Sequence, residues 1–449
     1  MTAERPTYVR WNVCVLIGVA SFVAYLLRTN MSVAGAPMSE DLGLSQVQLG
    51  VILAAFAWAY AAFQFPGGVF GDRLGARRAV ALIAVAWGVV NLLVALVPSR
   101  GTISTTALLA ALVAARVLMG IAQAPFFPIT GGAATCNWFP VSGWGLPGSL
   151  QNAGLTFGSA AAGPVIAWLT VRYGWRASFV LTAPLAFLTA GVWWWYVRDY
   201  PSQHPSVNRA ECELIDTGRP AADPSRVERG TWRLLLRHRP LLALTAGYTC
   251  SNYVFYFFFN WLFIYLIESR GFKLLEGGFY AAAPWITGAF GAVLGGWVCD
   301  RVWKRLGARL GCRVAGLVAM LACGAFLIAA AAAPTPILAV MLLSLCLGAQ
   351  QFVDPIYWAA AISVSGRRAA VACGVLNTGG NAIGGLGALV VPLTVRQFGW
   401  SAALATGALF ALGAAACWLV TDAADVLVGP SSEPLTGRSV GTTSQVPAG

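Results

Sequence analysis

Charge is what this chain has least of. Lysine, arginine, aspartate and glutamate together make up 10% of its 449 residues, with 17 carboxylates against 29 basic side chains. A soluble fold needs a polar surface, and a chain with 58% hydrophobic residues and a mean hydropathy of +0.70 cannot supply one. Lipid must therefore solvate much of it. Histidine is nearly missing too: there are two, and one of them, His238, falls in a basic stretch. No His/Asp/Glu cluster or nucleophile motif is present, so catalysis is not expected. The ten cysteines are scattered, mostly inside apolar runs, without CxxC or any other metal-ligand spacing. They read as small apolar residues rather than a disulfide framework, and neither metal nor cofactor is expected. A cleavable leader is not expected either, because the first apolar run is long and continues into Arg28 without an A-x-A exit.

What is there is a series of apolar runs, about twelve at 20–25 residues per span. They cover 11–36, 46–70, 79–98, 105–128, 145–171, 177–197, 241–267, 277–299, 314–333, 337–364, 370–395 and 401–421. The net charge of +12 is placed between them. Arg73, Arg77 and Arg78 follow the second run, and Arg209, Arg226, Arg229, Arg233, Arg237 and Arg239 lie between the sixth and seventh. Arg301, Lys304, Arg305 and Arg309 follow the eighth, and Arg367 with Arg368 follows the tenth. The alternate loops are poor in Lys and Arg, so both termini are expected on the cytoplasmic side of a plasma membrane, the inner membrane of a bacterium. The charge sets topology, and a nucleic-acid partner is not expected.

The chain also repeats itself. GSLQNAGLTFGSAAAGPVIAWLTVRYGWRASF in the fifth run echoes GVLNTGGNAIGGLGALVVPLTVRQFGWSAAL in the eleventh, and GGVFGDRLGARR echoes GGWVCDRVWKRLGAR, which sets Asp72 opposite Asp300. Both offsets are about half the chain. The expectation is an all-α membrane protein of twelve transmembrane helices in two pseudo-symmetric six-helix halves, with a site between them at the midplane. The halves are assigned to 1–197 and 240–424. They are joined by a polar linker, 198–239, in which SVNRAECELID reads as a short amphipathic helix on the membrane surface. Residues 425–449 are a Ser/Thr/Gly/Pro-rich tail, expected to be disordered.

Polar residues inside the runs mark the candidate site, since each is costly in lipid. Arg116 and Gln123, seven apart in AARVLMGIAQAPFFP, share nearly one helix face ahead of Pro125 and Pro128, which break or kink the helix. Arg116 either grips a ligand or forms a structural ion pair with a carboxylate on another helix. Arg28 has Tyr25 one turn earlier and either lines a cavity or snorkels to the interface. Tyr60 and Gln64 are four apart in the second run. Tyr253, Tyr256 and Asn260 form one face of the seventh, either cavity lining or interhelical packing. The tenth run carries Gln350, Asp354, Tyr357 and Trp358, with Asp354 the sole acidic residue placed well inside a run, and the eleventh carries Asn377 and Asn381 in a Gly-rich segment.

GxxxDRxGxRR between the second and third runs resembles the signature loop of the major facilitator superfamily. RTNMSVA, RVLMGIAQAPFFP and NWFP together resemble the narrower anion:cation symporter family, which includes bacterial galactonate, glucarate and hexuronate transporters and animal vesicular glutamate and phosphate carriers. The resemblance implies a secondary active transporter of a small organic anion, a sugar acid or another carboxylate, working by alternating access as a monomer. It implies that Arg28 and Arg116 bind the anion, because a guanidinium holds a carboxylate through two parallel hydrogen bonds. It places Tyr25, Tyr60, Trp358 and Asn377 around the rest of the substrate, while Asp72, Arg73, Arg77, Asp300 and Arg301 would act in gating. The family's two proton-coupling carboxylates fall at Leu27 and Gln123, which do not titrate, and its Glu-Arg after WFPxx falls at Gly143-Trp144. That leaves Asp354 as the coupling candidate for a proton or sodium. The alternatives are an uncoupled facilitator or exchanger, or a non-transporting sensor or scaffold of the same fold.

Overall fold

The computed structural model describes residues 5–140, 145–216, 237–365 and 369–423. Twelve membrane helices follow in order: α1 (Val9–Leu42), α2 (Gln46–Leu74), α3 (Ala76–Ala95), α4 (Thr105–Gln123), α5 (Gly145–Tyr173) and α6 (Trp175–Tyr196). After the linker comes α7, made of Arg239–Asn260 and, past a 55° bend, Leu262–Glu268. Then come α8 (Leu274–Cys299), α9 (Arg309–Ala331), α10 (Pro336–Ser365), α11 (369–398) and α12 (400–420). These bounds lie within a few residues of the apolar runs. The starts obey local capping chemistry: Gln48 N donates to Ser45 Oγ while Ser45 N donates to the Gln48 side chain, and Ser104 caps α4.

The sequence repeat becomes a geometric one at four turns. Gly75 ends α2 and Gly307 separates α8 from α9, with φ/ψ of 79/156 and 75/168. Gly174 and Gly399 separate α5 from α6 and α11 from α12, with φ/ψ of 86/162 and 80/175. A positive φ with an extended ψ is open almost only to glycine. The RLGAR and GW motifs thus impose the same corner at matching places in each half.

Packing follows the same symmetry. Within the first half α1 lies along α5, α2 along α4, and α3 along α6; within the second, α7 lies along α11 and α8 along α10. The halves meet along two seams, α2 against α11 and α5 against α8. Gly50 of α2 touches Ala388 and Pro392 of α11, Trp58 lies on Gly385, and Gly163 of α5 faces Gly278 of α8. Gln46 also donates to the Glu268 carboxylate, tying the start of α2 to the end of α7.

The linker helix forms over Arg209–Asp216 and packs one face on the N-terminus of α1. Its Glu211 is fully buried and accepts hydrogen bonds from Thr7 Oγ1, Val9 N, Arg10 N and Arg10 NH1. A carboxylate at the orphan amides of a helix start is favourable both as a cap and against the helix dipole. The segment is a plug for the N-terminus of α1.

Candidate functional site

Arg28 stands in the middle of α1, 2% exposed, so the snorkelling alternative fails. Five rings surround its guanidinium, with centroids 4.5 Å (Phe56), 4.5 Å (Phe259), 4.9 Å (Tyr60), 5.1 Å (Tyr25) and 5.7 Å (Tyr256) from the central carbon. It donates to the Tyr25 hydroxyl at 3.2 Å and the Tyr256 hydroxyl at 3.0 Å, while Nε has no partner. Arg116 of α4 is 3% exposed and lies 4.6 Å from the same Phe56 ring. It has no hydrogen-bond or ion-pair partner among the described residues. The two guanidinium carbons are thus at most about 9 Å apart, the sum of their distances to Phe56. At an effective dielectric near 20 their repulsion is about 2 kcal/mol. Cation–π contacts of about 0.5–2 kcal/mol each offset part of that, but no carboxylate does. The structural ion pair expected as the alternative for Arg116 is not there among the described residues. What the arrangement can do is receive an anion.

The break after α4 shapes this site. The α-helix stops at Gln123, and residues Pro128–Ala134 continue as one wide π-type turn. Carbonyls freed there are taken up locally: Thr130 Oγ1 donates to Phe126 O at 2.7 Å, and Thr135 Oγ1 donates to Thr130 O at 2.8 Å. Gln123 donates to the backbone carbonyl of Ala24 at 2.9 Å. This bond of its amide nitrogen ties α4 to α1. Leu27 is fully buried core.

The seventh-helix face divides. Tyr256 joins Arg28, and its hydroxyl donates to Asn381 at 2.8 Å. Tyr253 does not: it stacks on Phe410 of α12 at 4.0 Å and hydrogen-bonds Thr406. Three residues apart on a helix leaves the two side chains about 60° apart around its axis, enough to send the two rings to different neighbours. Asn260 is buried at the bend of α7 with its amide nitrogen unpartnered. Asn377 donates to Gln64 across the seam between the halves at 2.9 Å.

A second cluster lies between α7 and α10. Asp354 interacts with the Tyr248 hydroxyl and the Trp358 indole, and those two rings meet edge to face at 6.0 Å. Asp354 pairs with neither arginine. Of the gating candidates, Arg77 donates to Trp194 O and stacks on that indole at 4.6 Å, while its backbone N–H donates to Asp199. Arg301 stacks on Trp297 at 3.6 Å, and Arg73 is exposed. The side chains of Asp72 and Asp300, and residues Gly143-Trp144, lie outside the described residues. Sequence reasoning missed Phe56, Phe259 and Tyr248. Phe56 and Phe259 sit four before Tyr60 and three after Tyr256, so helical spacing from a flagged tyrosine is the signal that finds them.

Comparison with known proteins agrees with this architecture. The Major Facilitator Superfamily model matches residues 17–388. A probable galactarate/D-glucarate transporter of Bacillus subtilis (strain 168) is 30% identical over 437 residues, covering 95% of this chain and 94% of its own. A D-galactonate transporter of Escherichia coli O6:H1 is 27% identical over 420 residues, covering 90% and 93%. Among solved structures, a bacterial homolog of the human lysosomal transporter Spinster, inward-facing and occupied, superposes with a TM-score of 0.74 at 18% identity, covering 94% of this chain and 99% of its own. The chain is an integral membrane transporter and not an enzyme. It belongs to the major facilitator superfamily, in the anion:cation symporter-type group.

Proposed function

We propose that the transported anion is a sugar acid, gripped by Arg116 with Arg28 as its helper, and moved by alternating access of the two halves with the termini on the cytoplasmic side. The observation that carries this is a pair of buried arginines with no carboxylate beside either among the described residues. Buried charge must be compensated, and here a planar carboxylate matched to two guanidinium forks does so. The aromatic box limits the body of the substrate, and the tyrosine hydroxyls suit a polyhydroxylated chain. The relatives named for galactarate, glucarate and galactonate support the same class.

Inward movement of an anion against an inside-negative potential costs about 2.3 kcal/mol per charge per 100 mV, so uphill import needs a coupling cation or an exchanged anion. Asp354, half-buried among the neutral side chains of Tyr248 and Trp358, is the residue proposed to carry a proton. A second reading, an exchanger with no coupling ion, is favoured by one observation: fully buried Leu27 and the amide of Gln123 occupy the places of titratable residues. The test is uptake by the purified protein in vesicles, with D-glucarate and D-galactonate as probes. Arg116→Lys should lose most transport while inserting normally, since an ammonium cannot reproduce a bidentate grip. Near-normal uptake by that variant would sink the assignment.

A further inference from the structure

Gln64 is a buried side chain on α2, one helical turn beyond Tyr60 of the aromatic box around Arg28. Its Oε1 accepts from Asn377 at 2.9 Å, and its Nε2 has no partner. Followed backward, this bond is the end of a chain with one sense. Arg28 donates to Tyr256 (3.0 Å), Tyr256 to Asn381 (2.8 Å), Asn381 to Asn377 (3.0 Å), and Asn377 to Gln64. The chain leaves the first half at Arg28, crosses to α7 and α11 in the second, and returns to the first at Gln64. Every member uses its donor on the next, so the bonds polarise one another in a common direction.

The position of the last bond matters. The α2–α11 seam runs from Gly50 against Ala388, past Trp58 on Gly385, to Gln64 with Asn377. The first two contacts are glycine against backbone or ring, and the third is a directional hydrogen bond between side chains. We propose that Gln64 and Asn377 form a latch that keeps this seam shut in the empty carrier, and that an anion on Arg28 releases it. The first part stands on the geometry alone; the second rests on the sugar-acid reading. An anion on Arg28 competes for the guanidinium that polarises Tyr256. The freed tyrosine hydroxyl turns to the anion, Asn381 loses its donor, and the bond at the far end weakens. Gln64 and Asn381 are positioning residues, acting through their neighbours and not by touching substrate. An empty carrier held shut in this way does not reorient without cargo, which suits the exchanger reading, because a proton symporter must return its carrier empty.

The test places one spin label on α2 at Val51 and one on α11 at Leu393, both exposed and each next to a member of the Gly50–Pro392 contact. The full chain, in a background without native cysteines, is reconstituted in lipid. Without anion, Gln64→Met should raise the population with a parted seam about fivefold over the wild type, the loss of one hydrogen bond. Asn377→Leu should do the same, and the double variant no more than either alone, because both break one bond. Distributions identical to wild type in both single variants overturn the latch, and so does an additive double variant. D-glucarate or D-galactonate should part the seam in the wild type and leave Gln64→Met unmoved. An equal response in both overturns release by the anion. An empty-state difference with no response of the wild type to either sugar acid upholds the latch and overturns the substrate reading instead.

Discussion

Arg116→Met should make the empty protein more stable while abolishing its response to substrate. The guanidinium sits within about 9 Å of Arg28 with no acceptor of its own among the described residues. Its removal relieves about 2 kcal/mol of repulsion at an effective dielectric near 20 and frees the fold from a buried, unpaired charge. The loss is one contact with Phe56, worth about 0.5–2 kcal/mol, and methionine keeps most of the volume. The net is a gain on the order of 1 kcal/mol, a rise in Tm of about 1–2 °C for a chain of this size. In the wild type, sugar acid at a hundred times Kd should add about 2.7 kcal/mol; in the variant it should add almost nothing. Thermal unfolding of the purified protein with and without D-glucarate reads both numbers. A fall in stability of about 3–5 kcal/mol on Arg116→Met is the signature of a broken buried ion pair and would refute the argument.

Asp354→Asn should abolish accumulation driven by a proton gradient while sparing counterflow, which needs binding and alternation but no coupling; loss of both would make Asp354 structural. Tyr253→Phe should leave sugar-acid uptake within about twofold of wild type and cost about 1 kcal/mol of stability through the lost bond to Thr406, whereas Tyr256→Phe should impair uptake severalfold. Glu211→Gln should lower Tm, because a buried carboxylate that neutralises Arg10 and caps α1 becomes a neutral amide. His204, held below the usual imidazole range by burial and by Arg198, rests its ring on Tyr196 and Trp138. Its proton is bound more readily when that contact opens, so its stabilisation relative to His204→Gln should be constant above about pH 6.5 and shrink as pH falls below it.

The architecture was legible because the membrane leaves few choices. Backbone groups must be satisfied within each span, so apolar runs became helices with nearly the expected limits, and the RLGAR and GW repeats became matching glycine corners. Arg28, Arg116, Tyr25, Tyr60 and Tyr256 were found as polar residues that lipid would not tolerate, and they converge. Tyr253 shows where that logic stops. Cost in lipid says that a polar side chain must be satisfied, not by whom, and Thr406 on α12 satisfied this one. Gln123 went the same way, to the Ala24 carbonyl. Phe56 and Phe259 raised no alarm because an aromatic ring in a membrane helix is ordinary, and only its place over a guanidinium makes it part of a site. The amphipathic linker segment formed the expected helix, and its Glu211 answered the open amides of α1, a contact that periodicity alone could not name.

The two halves share corners and packing but divide the electrostatics unequally. Both buried guanidiniums among the described residues belong to the first half, on α1 and α4, while the second half lends the candidate site hydroxyls, amides and rings, and keeps the half-buried carboxylate of Asp354 apart among Tyr248 and Trp358. That separation has a mechanical consequence. An anion bound by charge to the first half alone would ride with it, and the second half could close over it through neutral hydrogen bonds, each worth only about 1 kcal/mol net. Such bonds can be made and broken once per cycle without a deep trap. An ion pair spanning both halves would lock them together instead. On the proposed mechanism, holding Asp354 away from Arg28 and Arg116 would keep the seams soft enough to part and leave that carboxylate to answer a proton rather than a guanidinium.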